Sequence, residues 1–358
     1  MEQATFNQFL AAAVKNGASD VHFKVGQSPA LRVNGQLLPV KVPALQPEDT
    51  LRIAGHVLKS NRWKGLLEEI QDIDTSYALD GVGRFRVNLH RAKGHVGAVM
   101  RSIPFNVPDF EKLGLPKVLE KMSQEERGMI LVTGVTGSGK SSTLAAIVNY
   151  INQHYRKHVL TIEDPIEFLH EDKFSRVTQR EIGPDTPDFG KALRAALRQD
   201  PDVILVGEMR DTETIEIALR AAETGHLVLS TVHTTDCYRT IGRIISVFPA
   251  EAQNSVRMRL SENLKGTISQ RLLPHASGKG RVVAAEIMVS TLSVVEYIKD
   301  PARTHEIKDY LEKNHDLLGT QSFDMHLARL LKDQKITQEI ALEAATNRSD
   351  FERALAFD

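Results

Sequence analysis

Cysteine is nearly absent from this chain. Cys237 is the single one among 358 residues, so no disulfide framework staples the fold and no cysteine cluster can hold zinc. A reducing compartment fits that usage. No stretch approaches 18 consecutive apolar residues, which excludes an ordinary membrane-spanning helix. The opening "MEQATFNQFLAAAVKNG" has no basic start followed by an apolar core, so no secretory signal is expected. An excess of one charge is also lacking: 45 Lys plus Arg face 46 Asp plus Glu. That balance, with no runs interleaving aromatic and basic residues, argues against a dedicated nucleic-acid binder. The expected setting is cytoplasmic, peripheral to a membrane through a partner. What the chain does have is apolar content, 41% of residues, enough for a sizeable core and, by length, about two domains.

Phe6, Phe9, Leu10, Ala13 and Val14 recur at helical spacing, with Gly17 placed to end that helix. "DVHFKVGQSPALRVNGQLLPV" reads as strands, with a hairpin turn at Asn34-Gly35. A helix follows around Asp49 to Ser60, then alternating antiparallel strands punctuated by Gly81, Gly83, Gly94 and Gly97. Residues 1–101 therefore read as a small α+β domain. Pro104, Pro108, Gly114 and Pro116 mark a linker over 102–117. From 118 to 358 the pattern changes. Apolar strands "MILVTG", "HVLTIED", "DVILVGE" and "HLVLSTVH" alternate with helical stretches, which predicts an α/β fold with a mainly parallel sheet. The last section reads as helical, with Phe323, Leu327, Leu330 and Leu331 on one apolar face and Thr337 to Thr346 forming a second helix.

One run carries the clearest chemistry. Gly134-Val135-Thr136-Gly137-Ser138-Gly139-Lys140-Ser141, followed by Ser142, matches G-x-x-x-x-G-K-[ST] between an apolar strand and a helix. Glycines let backbone N–H groups turn inward around phosphate oxygens, and the helix N-terminus behind them adds partial positive charge. Lys140 supplies a point charge for the β- and γ-phosphates of ATP, and the Ser141 hydroxyl can hold Mg²⁺.

In a parallel sheet the strands end at the edge where that loop lies. Glu208, at the end of "DVILVGE", then faces the metal and terminal phosphate and can orient and deprotonate the attacking water; the plainer reading is a surface glutamate ahead of the next helix. Gly207 stands where nucleotidases usually place Asp, which implies that water completes much of the metal shell and leaves room beside Glu208. "TIEDPIEF" is a second acidic strand end. Glu163 reads as a water or metal partner, or as part of a capping acidic loop. His233 in "STVHTTD" could sense the γ-phosphate or bridge subunits, and His226 in "ETGH" precedes the same strand; isolated histidines are as often structural. Arg84, Arg86, Arg91 and Arg101 lie on or near predicted strands. Arg84 and Arg86 share a face by alternation. That face is either simply solvated or supplies arginine fingers to transition-state charge.

Taken together these residues resemble the secretion-superfamily hexameric ATPases, specifically the type IV pilus retraction group. "GVTGSGKSSTLAA" resembles its Walker A loop, "TIEDPIEF" its Asp box, "DVILVGEMRD" its atypical Walker B and "TGHLVLSTVHTTD" its His box, while "GASDVHFKVG" resembles the start of its PAS-like N-terminal domain. The resemblance implies a RecA-like P-loop ATPase core, a homohexamer, ATP with Mg²⁺, and a cytoplasmic motor docked on an inner-membrane pilus platform protein, in some cases beside a related ATPase. It implies catalytic roles for Lys140, Glu163, Glu208 and His233. It makes Arg86 and Arg101 the arginine contacts, with Arg84 a third. The chain departs from the group where "AIRNLIRE" is matched by "SVVEYIKD", Ser293 to Asp300, with Val295 and Glu296 replacing arginine and asparagine. That departure keeps a specialised paralogue as an alternative to retraction, beside a RecA-like nucleic-acid translocase and a nucleotide-binding regulator. Extension and type II secretion members usually carry a four-cysteine zinc site, which a single cysteine cannot build.

Overall fold

A computed structural model describes residues 1–33, 35–58, 70–103 and 107–357. Asn34 of the expected hairpin turn, the expected helix end at Ser60 and Pro104 of the expected linker lie outside those residues. The chain forms two compact units. One comprises Met1–Asn106 with the short segments Asp164–Leu169 and Glu181–Asp188; the other comprises Val107–Glu163, His170–Arg180 and Phe189–Asp358.

In the first unit, helix α1 (Gln3–Lys15) buries Phe6, Leu10 and Ala13, the stripe its spacing predicts, and Gly17 follows it with φ 72°. Strands β1 (Ala18–Phe23), β2 (Ala30–Val33), β3 (Gln36–Pro39), β4 (Asp72–Leu79), β5 (Gly83–Ala92) and β6 (His95–Ile103) form an antiparallel sheet in the order β3-β2-β1-β6-β5-β4. Helix α2 (Pro47–Leu58) contributes Ile53, Ala54, Val57 and Leu58 to the same core as Phe6, Phe23 and Phe85. Along β5, Phe85, Val87 and Leu89 are buried while Arg84, Arg86 and Asn88 point to the other face.

The second unit opens with the short helices α3 (Phe110–Leu113) and α4 (Val118–Met122) and then alternates strand and helix. The alternation runs β7 (Gly128–Thr133), α5 (Lys140–His154), β8 (His158–Glu163), β9 (Arg176–Glu181), α6 (Phe189–Ala196), β10 (Val203–Val206), α7 (Thr212–Glu223) and β11 (Leu227–Val232). Helices α8 (Cys237–Ser246) and α9 (Ala250–Asn263) lead into β12 (Leu264–Pro274) and β13 (Arg281–Val289). The sheet order is β13-β12-β7-β11-β10-β8-β9. Strands β12, β7, β11, β10 and β8 run parallel, and β7, β10 and β11 are buried along their whole length, as strands covered on both faces must be. The sheet is mixed because β12 and β13 pair antiparallel over nine registered positions, a hairpin that the sequence reading does not include. Helices α10 (Leu292–Lys299), α11 (Ile307–Lys313), α12 (His315–Leu318), α13 (Phe323–Lys332), α14 (Gln338–Ala344) and α15 (Arg348–Phe357) complete the chain. Phe323, Leu327 and Leu330 pack with Ala284 of β13 and Leu273 of β12. Among the described residues no helix is long and apolar enough to cross a membrane.

Candidate active site

The phosphate-type loop spans 134–139 between buried β7 and α5. Its glycines have positive φ: 145° at Gly134, 81° at Gly137 and 93° at Gly139, values that side chains beyond glycine rarely adopt. A Cβ at Gly134 would also collide with the Ser138 hydroxyl and meet the Gln270 carbonyl of β12 at 2.6 Å. The turn therefore closes only as glycine. Lys140 is the first residue of α5 and only 8% exposed, and its Nζ donates to the carbonyls of Gly134 (2.9 Å) and Val135 (3.0 Å). The buried Ser138 Oγ has no hydrogen-bond partner. A buried ammonium folded onto the loop's own carbonyls and an orphaned hydroxyl beside a helix N-terminus fit a phosphate. Ser141 and Ser142 follow on the first turn of α5, both half-buried. Among the described residues no group of three or more His, Cys, Asp or Glu side chains is placed to hold a metal. A cation here would rest on Ser141, a ligand oxygen and water.

Glu208 lies two residues beyond β10, at the strand edge where β7 enters the loop. Its Oε2 stands 2.7 Å from Arg210 Nε and 3.6 Å from His233 Nε2. His233 follows β11 directly. Burial pushes its imidazolium below the ordinary value, the charge of Lys140 adds to that push, and Glu208 opposes it. Lys140, Glu208 and His233 are thus one electrostatic group, neutral His233 between a cation and an anion. Gly207 does not serve the purpose expected of it. A Cβ there would press the Ile162 carbonyl of β8 at 3.2 Å, and the Gly207 amide donates to that carbonyl at 2.8 Å. The glycine admits the neighbouring strand's backbone rather than clearing space for Glu208. Thr231 Oγ1 donates to the Gly207 carbonyl at 2.7 Å and fixes the strand end from the other side.

Glu163 ends β8, beside the end of β10. Its Oε1 accepts from Thr161 Oγ1 of the same strand (2.6 Å) and from Gln179 Nε2 of β9 (3.1 Å). His226 is the site residue that the fold places elsewhere. It precedes β11, whose Leu227 registers with Gly128 at the start of β7, so it lies at the edge opposite the loop, six strand residues or about 20 Å away. Its Nδ1 sits 3.0 Å from the Ala221 carbonyl at the end of α7. Within one chain it stands at the far end of β11 from the loop, and its geometry is that of a helix-end anchor.

The arginines belong to the first unit. Asp20, Arg101, Arg86 and Ser76 register side by side across β1, β6, β5 and β4, which puts them on one face. Arg86 is exposed. Arg101 is 69% exposed and donates to the buried Asp20 at 2.9 Å. Burial works to raise the Asp20 carboxyl, but the Arg101 and Ser19 hydrogen bonds and the Arg101 charge outweigh it and leave it low. Arg84 differs from both. It is 17% exposed and donates to the nearly buried Glu181 at 2.8 Å and to Ser76 at 2.8 Å. Its guanidinium pairs with a buried carboxylate, where those of Arg86 and Arg101 are exposed. Sequence reasoning missed Arg210, Thr161 and Gln179. Arg210 stands inside a quoted motif, two residues past Glu208, and that spacing is the available signal.

The Type II/IV secretion system protein family matches residues 1–345. The chain belongs to that family. It is 44% identical over 344 residues to the Type IV pilus retractation ATPase PilT of Pseudomonas aeruginosa, covering 96% of this chain and 99% of that protein. It is 38% identical to the Type IV pilus ATPase PilU of the same organism, covering 96% and 90%. Among solved structures, the pilus retraction motor PilT with bound ADP superposes with a TM-score of 0.86 at 45% identity, covering 97% of this chain and 98% of that one. The Legionella pneumophila ATPase DotB superposes with 0.82 at 27% identity, covering 100% and 96%. The α/β fold with mixed sheets is that of these family members. The divergent stretch of the sequence forms α10, where Val294 and Ile298 are buried and Glu296 is exposed and paired with Lys299 at 3.2 Å.

Proposed function

We propose that this chain is a motor ATPase that hydrolyses ATP with Mg²⁺ to drive type IV pilus retraction, working as a homohexamer at the cytoplasmic face of an inner-membrane platform protein. The observation that carries the reading is the Lys140–Glu208–His233 group at the loop end of the parallel strands, in a chain 44% identical to a pilus retraction ATPase over 96% of its length. In this account residues 118–358 form a RecA-like ATPase domain with C-terminal helices, 102–117 a linker and 1–101 a PAS-like domain.

Backbone amides of 134–139 and the α5 N-terminus bind the phosphates, and Lys140 exchanges its carbonyl partners for phosphate oxygens. Ser141 and Glu163 would hold Mg²⁺, which would supply positive charge against the terminal phosphates. Glu208 orients the attacking water and takes its proton. Releasing Arg210 frees the Glu208 carboxylate to accept a hydrogen bond from that water. Neutral His233 donates to or accepts from the terminal phosphate region without adding fixed charge. Arg86 and Arg101 supply the positive charge that transition-state oxygens attract.

A deletion strain complemented with wild type or Glu208→Gln tests the function. Excess surface pili without twitching movement, restored by wild type alone, is the expected result. Normal movement in the deletion, with turnover intact in the purified protein, favours the specialised paralogue, a reading supported by α10 and by the 38% identity to PilU.

A further inference from the structure

The carboxyl of Glu286 is 6% exposed and lies outside the machinery just described. It sits on β13, the edge strand of the mixed sheet. Its Oε1 accepts the backbone N–H of Cys237 at 2.8 Å, the first residue of α8. Only Thr234, Thr235 and Asp236 separate that amide from His233. Glu286 therefore fastens the far end of the His233 loop to the sheet.

The same stretch of β13 is held from its open side by the chain leading into α13. Gln321 Nε2 donates to the Ala285 carbonyl at 2.7 Å, the Gln321 and Ile287 backbones exchange two hydrogen bonds at 2.9 and 3.0 Å, and the Ala285 amide donates to His326 Nδ1 at 2.9 Å. Glu286 lies between these two clamped residues. A second tie runs through Arg271 of β12, the cation whose charge favours ionised Glu286 against its burial. The Arg271 guanidinium stacks over the Phe323 ring at 3.9 Å and donates to the Ala344 carbonyl at the end of α14.

We propose that Glu286 is a positioning residue through which the docking of α13 on β13, and of α14 on the paired strand β12, sets the His233 loop, so that movement of the C-terminal helices alters turnover at a distance. His326 of α13 and Gln321 just before that helix hold Ala285 and Ile287, the strand between them carries Glu286, and Glu286 holds the amide four residues past His233. A loop so anchored at one end by β11 and at the other by a buried carboxyl has little freedom left. Loosening the clamp returns that freedom. The effect on turnover rests on the ATPase reading given above; the effect on the loop does not.

The test is hydrogen exchange in the full-length protein across residues 233–241, with kcat and nucleotide affinity measured alongside. Glu286→Ala should speed exchange there about tenfold and lower kcat, with nucleotide affinity kept within about twofold. Glu286→Gln keeps an acceptor for the Cys237 amide and should restore both readings. Gln321→Ala should speed exchange at 233–237 as well as locally, although it touches neither His233 nor Glu286. Faster exchange in Glu286→Ala without a response at 233–237 to Gln321→Ala would overturn the relay, as would a kcat loss that Glu286→Gln fails to rescue. If Glu286→Ala does not fold, the Gln321→Ala comparison decides alone. A wild-type protein without ATPase activity would sink the functional reading and leave the exchange result standing.

Discussion

Arg210 Nε lies 2.7 Å from Glu208 Oε2, two residues back along the chain, and the same oxygen stands 3.6 Å from His233 Nε2. The residue assigned as base is thus held in reserve by a cation that the strand end itself supplies. Arg210 is 73% exposed, so the pair is screened and easily parted. Arg210→Ala should change kcat by less than about tenfold, with nucleotide affinity kept. A loss of kcat as large as that of Glu208→Gln would mean that Arg210 itself acts on the substrate.

Lys140→Ala removes a buried ammonium that loop carbonyls hold and that, on this account, phosphate oxygens take over. Nucleotide affinity or turnover should fall by on the order of 100-fold or more, with the thermal midpoint without nucleotide nearly unchanged. Fluorescent-nucleotide titration measures it; retained affinity together with retained turnover would remove the loop from the account.

The three arginines should separate. Arg84→Ala leaves the nearly buried Glu181 with the Ile166 amide but without its cation and should cost about 3 kcal/mol, visible as a lower unfolding midpoint. Arg86→Glu should leave folding largely intact and lower kcat, as should Arg101→Gln, which keeps a donor for the buried Asp20. A stable Arg84→Ala, or surface variants with wild-type kinetics, would reverse that division.

His326 links stability to pH. Burial first, and the Arg329 charge second, push its imidazolium down to about 4 from an ordinary 6.5. A histidine depressed on folding contributes stability that is complete above pH 6.5 and is lost as pH falls towards 4, because the unfolded chain takes up the proton first. At pH 5 the loss is about 2 kcal/mol. His326→Gln, which can still accept the Ala285 amide, should flatten the dependence of the urea midpoint between about pH 7 and pH 5. An equally steep dependence would assign it to other groups.

Local features were readable in the sequence because covalent spacing does the work. The 134–141 loop needs three glycines and a lysine at fixed offsets, and the α1 stripe needs only its own period. Buried apolar runs gave the parallel strands for the same reason. What stayed hidden depends on partners far along the chain: Arg84 with Glu181, 97 residues apart, and Cys237 with Glu286, 49 apart. Alternation puts Arg84 beside Arg86 and cannot show that one meets a buried carboxylate while the other meets solvent. Gly207 reads in the sequence as room for the side chain after it, whereas the close approach of the β8 backbone sets its size. His226 and His233 share a motif, yet the length of β11 puts them at opposite edges of the sheet.

Glu208→Gln tests the central claim most directly, because the amide preserves shape and removes the base. Single-turnover hydrolysis and nucleotide affinity should be measured on the same preparation. The account predicts affinity within about twofold of wild type and hydrolysis slowed by at least about 100-fold. Hydrolysis near the wild-type rate, with nucleotide bound normally, would contradict it.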